Sequence, residues 1–389
     1  MKRLILPCLC IVMLLSGCWD LKELEHDIYI TALGIDFKDD QMHVYIKTLP
    51  LHNIGKTEGG GGDSEEAPVF IGHGIGDSFD SASDNIYFTS QHRVSWSHIE
   101  HIIFSTKALE KKGLVEDVMD VLNRYAETRS ATWMYGTTTD LAELFQGKPI
   151  LDLSPYYSKE NNPLNVYKQF SFVRPKSIRE FLIEKYEPGN MVVFPIIDLN
   201  TIQWQKDSNP HPIQEWSGLA VMDFNSLKGT FTLDEMKGIR WMQPSTQRST
   251  VFLKTDGSPY LSFVANDPKV DITPELNGGI PHFTIKVTLT GMIIENPKNI
   301  PVEKVKEKAE KAIEGEIRST YMKAVEKQAD IYHLGYKLFK KFPKEFKEQN
   351  LGEQDWLTED TIESLNVEVT IQTGGKVKLG RTKFKEQMD

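Results

Sequence analysis

The spacing of apolar positions changes several times along the chain, and each change predicts an element. Positions 28–37 and 42–51 are apolar and rich in β-branched residues, with Lys38-Asp39-Asp40-Gln41 between them, which predicts a hairpin. Gly72, Gly74 and Gly76 predict a loop feeding a helix that is capped by Asp77 or Ser78 and carries Phe79, Ala82 and Ile86 on one face. Ile102-Ile103-Phe104 mark a buried strand within 98–106. Leu114, Val118, Val121, Leu122 and Tyr125 then stand at helical spacing over 113–127. A strand is expected over 131–135. Asp140 with Glu143, and Ser177 with Glu180, have capping-box spacing and open two further helices. The stretch between them, 151–174, is rich in Pro, Asn and Tyr and reads as mostly loop, and 191–199 closes this half as a strand.

A polar run over 205–212 predicts a domain boundary. Beyond it, 216–224 reads as a strand that turns through Asn225-Ser226 and returns over 229–233. Strand patterns recur at 249–254, 259–264 and 282–295, the first two joined by the turn Asp256-Gly257. From Pro301 to about Phe339 the chain is charged and helix-prone, with Val302, Val305, Ala309, Ile313 and Ile317 at steps of three and four. This predicts one long helix, or two with a break near Gly335. Leu365, Val367, Val369 and Ile371 alternate strictly with polar residues, and Gly374-Gly375 turns that strand into 376–384. The expected fold is α+β, with mixed and antiparallel sheets flanked by helices in two to three small domains and a long helix in the C-terminal half. The expected division is a signal peptide over 1–17, a lead over 18–27, an N-terminal α+β region over 28–204, a linker over 205–214 and a C-terminal α+β domain over 215–385.

The N-terminus changes this picture. Lys2 and Arg3 precede an apolar run from Leu4 to Leu15, too short to span a bilayer comfortably, and Leu15-Ser16-Gly17-Cys18 follows. That is the pattern of a bacterial lipoprotein box, with lipid on the Cys18 sulfur and cleavage between Gly17 and Cys18. The alternative is an ordinary cleaved signal in which Cys18 is incidental. A diacylglyceryl group supplies two chains where one holds only marginally. The chain has three cysteines, Cys8, Cys10 and Cys18, so a mature lipoprotein keeps no free thiol for a disulfide, a nucleophile or a metal. The formal net charge of −10, which drops by two more when Lys2 and Arg3 leave, argues against nucleic acid as a partner.

Candidate chemistry is sparse. Gly59-Gly60-Gly61-Gly62 lacks the Gly-Lys-Ser/Thr ending of a phosphate loop, and Asp77 stands where a dinucleotide fingerprint needs its third glycine. There is no Gly-x-Ser-x-Gly elbow and no His-Glu-x-x-His helix, so the chain reads as a non-enzyme without metal or cofactor. His98 and His101, three apart on an expected strand, would face opposite sides. Arg124, Glu127 and Arg129 form a charged cluster at a helix end that fits either a partner contact or an internal salt-bridge network. A solute-binding lipoprotein of an import system would share the anchor, but strand–helix alternation building two parallel sheets is expected of it, whereas these strands cluster in hairpins.

The order of these features resembles one family, the Ger(x)C lipoproteins, C subunits of spore germinant receptors in endospore-forming bacteria. The resemblance is carried by Cys18-Trp19-Asp20 with Glu23-Leu24, Gly34-Ile35-Asp36, Ser97-His98-Ile99, Arg124 with Glu127 and Arg129, Ser217-Gly218-Leu219-Ala220-Val221, Lys228-Gly229 and Gly238-Ile239-Arg240-Trp241. Tyr125 stands where the family often has an acidic residue, and the segment 329–335 is a looser match. The resemblance implies three small α+β units and a non-enzymatic subunit on the outer face of the spore inner membrane. Its implied partners are an integral-membrane A subunit and a transporter-like B subunit, with the nutrient recognised by those partners.

Overall fold

The structure, a computed structural model, describes residues 27–49, 68–124, 129–152, 157–253, 261–298 and 300–372. The expected hairpin opens it. β1 (Ile28–Lys38) and β2 (Gln41–Thr48) pair antiparallel, and Asp39 and Asp40 both take the left-handed conformation that a two-residue turn needs to match the strand twist. β3 (Phe70–Gly76) adds antiparallel to β2, so the three glycines lie in a strand and not in a loop. The reason is the helix that follows, α1 (Phe79–Tyr87), which folds back against β3. A Cβ at Gly74 would stand 2.0 Å from the Ala82 carbonyl oxygen, so only glycine permits this approach. Ser78 caps α1 in a reciprocal box with Ser81, and Phe79, Ala82 and Ile86 are its buried face as expected.

β4 (Val94–Ser95) and β5 (His101–Ser105) run parallel to β1. α2 (Thr106–Glu110) and α3 (Leu114–Arg124) then lead to β6 (Trp133–Thr137), parallel to β5. α4 (Leu141–Leu144) is a single turn capped by Asp140, and the stretch read as loop contains α5 (Pro163–Gln169), with Pro163 at its start. β7 (Lys176–Ser177) lies antiparallel to β6, and α6 (Ile178–Tyr186) carries the expected Ser177/Glu180 capping box. β8 (Val192–Asn200) is parallel to β6. A small hairpin of β9 (Gln205–Lys206) and β10 (Asn209–Pro210) precedes β11 (Ile213–Met222) and β12 (Leu227–Thr232). The sheet order is β12-β11-β8-β6-β5-β1-β2-β3, with β4 and β7 beside β1 and β6. Hairpins thus form the flanks of the sheet, but β1, β5, β6 and β8 at its centre are parallel, which hairpin clustering did not anticipate. β11 pairs with β8 across the expected linker, so 205–214 is a bridge within one sheet and not a break in it.

The second sheet has the order β13-β14-β15-β16. After α7 (Ile239–Met242) come β13 (Ser249–Leu253), β14 (Leu261–Asn277) and β15 (Ile280–Glu295), and the last two form a long hairpin turning at Gly278-Gly279. β14 runs beyond its predicted end because it stays paired with β15 as far as Asn277; β13 stops opposite Ala265, so from there β14 is an edge, where Pro274 needs no amide donor. α8 (Val302–Lys327) crosses back over the sheet, burying Val305, Ala309, Ile313 and Ile317. It ends at a left-handed Gln328, and the chain restarts as α9 (Leu334–Lys341) and α10 (Pro343–Glu348), so the break lies at 328–333 and Gly335 belongs to the next helix. β16 (Ile362–Ile371) closes the sheet parallel to β15. The expected turn at Gly374-Gly375 lies outside the described residues.

Alternation along the strands sends side chains into two cores. Ile102, Phe104, Ala220 and Met222 enter one, shared with α1, α2, α3 and α6. Ile103, Tyr135, Leu219 and Val221 enter the other, which continues without interruption into Phe263, Val287, Ile313 and Val367 of the second sheet and α8.

Candidate functional site

Cys18 and Glu127 lie outside the described residues. Arg124, in the last turn of α3, donates to Asp120 Oδ2 from Nη2 at 2.8 Å, and Arg129 stands 3.8 Å from Glu100, so the two arginines hold different carboxylates. His98 is not on a strand; it sits before β5, packs edge-on against Tyr29 at 4.7 Å and shares a hydrogen bond with Ser97 at 2.8 Å. His101 is buried and bonds Asn161 through Nδ1 at 2.6 Å. Among the described residues no group of three or more His, Cys, Asp or Glu is placed to hold a metal ion.

His101 belongs to a polar floor that the sequence reading missed. Its neighbours come from alternate positions of separate strands: His43, Tyr45 and Lys47 on β2, His73 on β3 opposite Tyr45, and Tyr135 on β6. The 157–162 segment covers them, with Tyr135 donating to the Glu160 carbonyl oxygen at 2.9 Å. The His73 ring stacks on Tyr45 at 4.2 Å and shares a 3.0 Å hydrogen bond with His43. Burial lowers the Lys47 pKa, partly offset by the Glu160 carboxylate. Burial likewise brings His101 down to about 4, against the pull of Glu160, which keeps the imidazole neutral at ordinary pH. The Glu160 Oε2 and Ser158 Oγ atoms are buried with no hydrogen-bond partner. The only sequence sign was polar residues at alternate positions of an otherwise apolar β2.

The second place of interest is the seam between the first sheet and α8, where the later family segments meet. A bulge between Trp216 and Gly218 turns Ser217 out of register, and its hydroxyl donates to Asp198 at 2.5 Å. Asp198 also accepts from Thr137 Oγ1, both the amide and the hydroxyl of Thr138, and both those of Thr139, at 2.8–3.1 Å. Burial would raise its pKa, but the hydrogen bonds, Ser217 foremost, outweigh that and hold it below the usual carboxylate value. Gly218 is required because a Cβ there would meet the Phe231 carbonyl oxygen at 2.2 Å.

From β12 the chain enters α7. Gly238 donates to Thr320 Oγ1 at 2.9 Å and leaves no room for a side chain against α8, whose Glu316 carbonyl oxygen would lie 2.5 Å from a Cβ. Glu316 accepts from Arg240 Nη2 at 2.8 and 3.0 Å and from Trp241 Nε1 at 2.6 Å. Arg240 is buried and packs over the rings of Phe172 and Trp241. At the far end of α8, buried Asp330 accepts from the Gly335 amide at 2.7 Å, and burial raises its pKa to about 6. His333, its pKa lowered by burial to about 4, shares a 2.7 Å bond with Asn190 ahead of β8. These contacts are positional. They fix one half against the other.

Residues 20–199 match the family model described as spore germination protein N-terminal domain, and residues 217–375 match the model described as spore germination B3/GerAC like, C-terminal. Spore germination protein KC of Bacillus subtilis (strain 168) is 26% identical over 375 residues, covering 90% of this chain and 91% of its own. Spore germination protein B3 of the same organism is 22% identical over 289 residues, 72% of each chain. The crystal structure of the GerBC protein shares the fold with a TM-score of 0.53 at 16% identity, over 87% of this chain and 96% of that one.

Proposed function

The chain belongs to the spore germination family of the GerAC type, and from that premise we propose that it is a non-enzymatic, lipid-anchored subunit of a germinant receptor. It is held by lipid on Cys18 at the outer face of the spore inner membrane, beside an integral-membrane A subunit and a transporter-like B subunit. The observation that carries this reading is the ordered match of both family domains, the first starting at Asp20, two residues after the cysteine of the lipoprotein box. No helix among the described residues is long and apolar enough to cross a membrane. The seam adds a physical role: Glu316, Asp198 and Asp330 tie the sheet, α8 and the turn after it into one frame able to brace neighbouring subunits.

Germination tests the reading. Spores lacking this gene are expected to lose the response to one class of nutrient while still germinating with a non-nutrient trigger, and Cys18→Ala is expected not to restore it. Full nutrient response in the deleted spores, in a strain without a second copy, removes the proposal.

A further inference from the structure

The strand directions show which end of the first sheet lies beside the start of β1. β1, β4, β5, β6 and β8 all run the same way, and β1 begins at Ile28, whose amide donates to the Arg93 carbonyl at 2.8 Å. The end of the sheet from which they set out also receives the end of α1, the start of β3 and the end of α6. The β11–β12 turn joins them there, because Met222 pairs with Val192, the first residue of β8.

Exposed apolar side chains gather at this end. On one flank Phe88, just past α1, is 87% exposed, with Tyr87 beside it and Phe70 at 61% on the first residue of β3. On the other flank Tyr186 at 64% and Phe224 at 52% set their rings 5.9 Å apart, and Ile183 is exposed one turn earlier on α6. Tyr87, Tyr186 and Phe224 are held in place. Tyr87 accepts from Trp96 Nε1 at 2.8 Å, and Lys185, paired with Glu116, donates to the Phe224 carbonyl. Aromatic rings fixed outward in this way suit a bilayer interface, where the apolar body enters and a polar tip stays wet. Phe252 on the second sheet is 67% exposed as well, and Leu151 and Ile202 more so away from this end, but only the β1 end adjoins the segment leading to Cys18. Nine residue steps separate Cys18 from Asp27 and reach at most about 30 Å.

We propose that this end of the first sheet rests on the bilayer, with Phe70, Tyr87 and Phe88 on one flank and Ile183, Tyr186 and Phe224 on the other entering the lipid interface. This deepens the anchored reading above and supplies the additional contact that strengthens lipid-chain attachment.

The test uses the mature chain from Trp19 with a histidine tag in place of the lipid, bound to phosphatidylcholine vesicles through a nickel-chelating lipid. The result then does not depend on Cys18, and no native cysteine remains. Single cysteines replace Phe88, Phe224 or, as a control, Phe252, each bearing an environment-sensitive fluorophore. The expected result is emission at 88 and 224 that shifts to the blue on vesicle binding and is quenched by lipids brominated near the headgroup, while 252 does neither. Emission at 88 and 224 as water-like as at 252, in fully bound protein, overturns the proposal and leaves Cys18 lipidation standing. Shielding at 88 and 224 only when the membrane subunits are added assigns the surface to a protein contact and overturns it too. Failure of the anchored reading shows separately, as an unmodified Cys18 in the mass of the native N-terminus.

Discussion

Asp198 draws β6, β8 and β11 together through six hydrogen bonds from four residues, three of them consecutive threonines. Asp198→Asn keeps the shape but loses the charge that makes those bonds strong, and is expected to cost about 2 kcal/mol at pH 7. The Asp198 pKa is lowered in the fold, so its contribution is present above the unfolded value of 3.8 and is lost as pH falls through the lower folded value. Denaturant unfolding at pH 7 and pH 3 is expected to show the gap between variant and parent shrink in acid; an unchanged gap contradicts the charge argument. His101 works in a higher window. Its folded pKa of about 4 lies below the unfolded 6.5, so the unfolded chain binds more protons between these values and stability falls as pH drops from 6.5 to 4. His333 adds the same sign, while Asp330, raised to about 6, favours the folded state as pH falls from 6 towards 3.8. His101→Gln is expected to lose less stability than the parent across the 6.5 to 4 window, by about 3 kcal/mol at most. Parallel acid unfolding curves would place the acid sensitivity elsewhere.

At the scale of elements, glycines separate helices that merely tolerate them from strands that need them. Gly315 lies mid-way along α8, and a Cβ there meets nothing within 4 Å, so Gly315→Ala is expected to stabilise by about 0.5–1 kcal/mol. Gly74→Ala drives a methyl into the Ala82 carbonyl and is expected to lower the melting temperature by several degrees, with α1 the first element to lose amide protection. Val221 is fully buried, and Val221→Asp is expected to unfold the sheet at a cost of several kcal/mol; a soluble variant with unchanged melting would show β11 to be misplaced. These elements also show what the sequence could say. α3, α8 and β16 were legible because each has one wet face and one dry face, and α6 because the Ser177/Glu180 capping box marks its start. β3 was not, because its glycines answer to a helix packed against them, and neither was the far half of β14, whose prolines are tolerated only because no strand lies beyond it. The polar floor was illegible for a related reason: His43, Tyr45, Lys47, His73, His101 and Tyr135 come from four strands whose pairing no local pattern specifies. The seam was half legible, since the runs Ser217–Val221 and Gly238–Trp241 stood out, but their partners Asp198 and Glu316 did not.

The whole molecule joins two sheets through one continuous core, although the two family domains divide it near residues 199 and 217. A chain ending at 204 would strip β11 from β8 and expose Val193 and Ile197, so it is expected to aggregate, whereas one continuing through Thr232 keeps the first sheet complete. The buried Arg240 meets the half-buried Glu316 where α7 meets α8, and Glu316→Ala, which leaves the arginine buried alone, is expected to cost about 3 kcal/mol. Replacing both by Met and Leu is expected to recover most of that loss; no recovery would mean the carboxylate matters more to Trp241 than to Arg240. A firm internal frame suits the proposed role, in which the work lies in contacts on the outside. The most direct measurement of that role is affinity purification of this chain from detergent-solubilised inner membranes of dormant spores, with mass spectrometry of everything recovered. The account predicts a chain that starts at a diacylglyceryl Cys18 and brings with it two integral-membrane proteins, one of them transporter-like. Recovery of the chain alone from the soluble fraction, with Cys18 unmodified or removed, would contradict it.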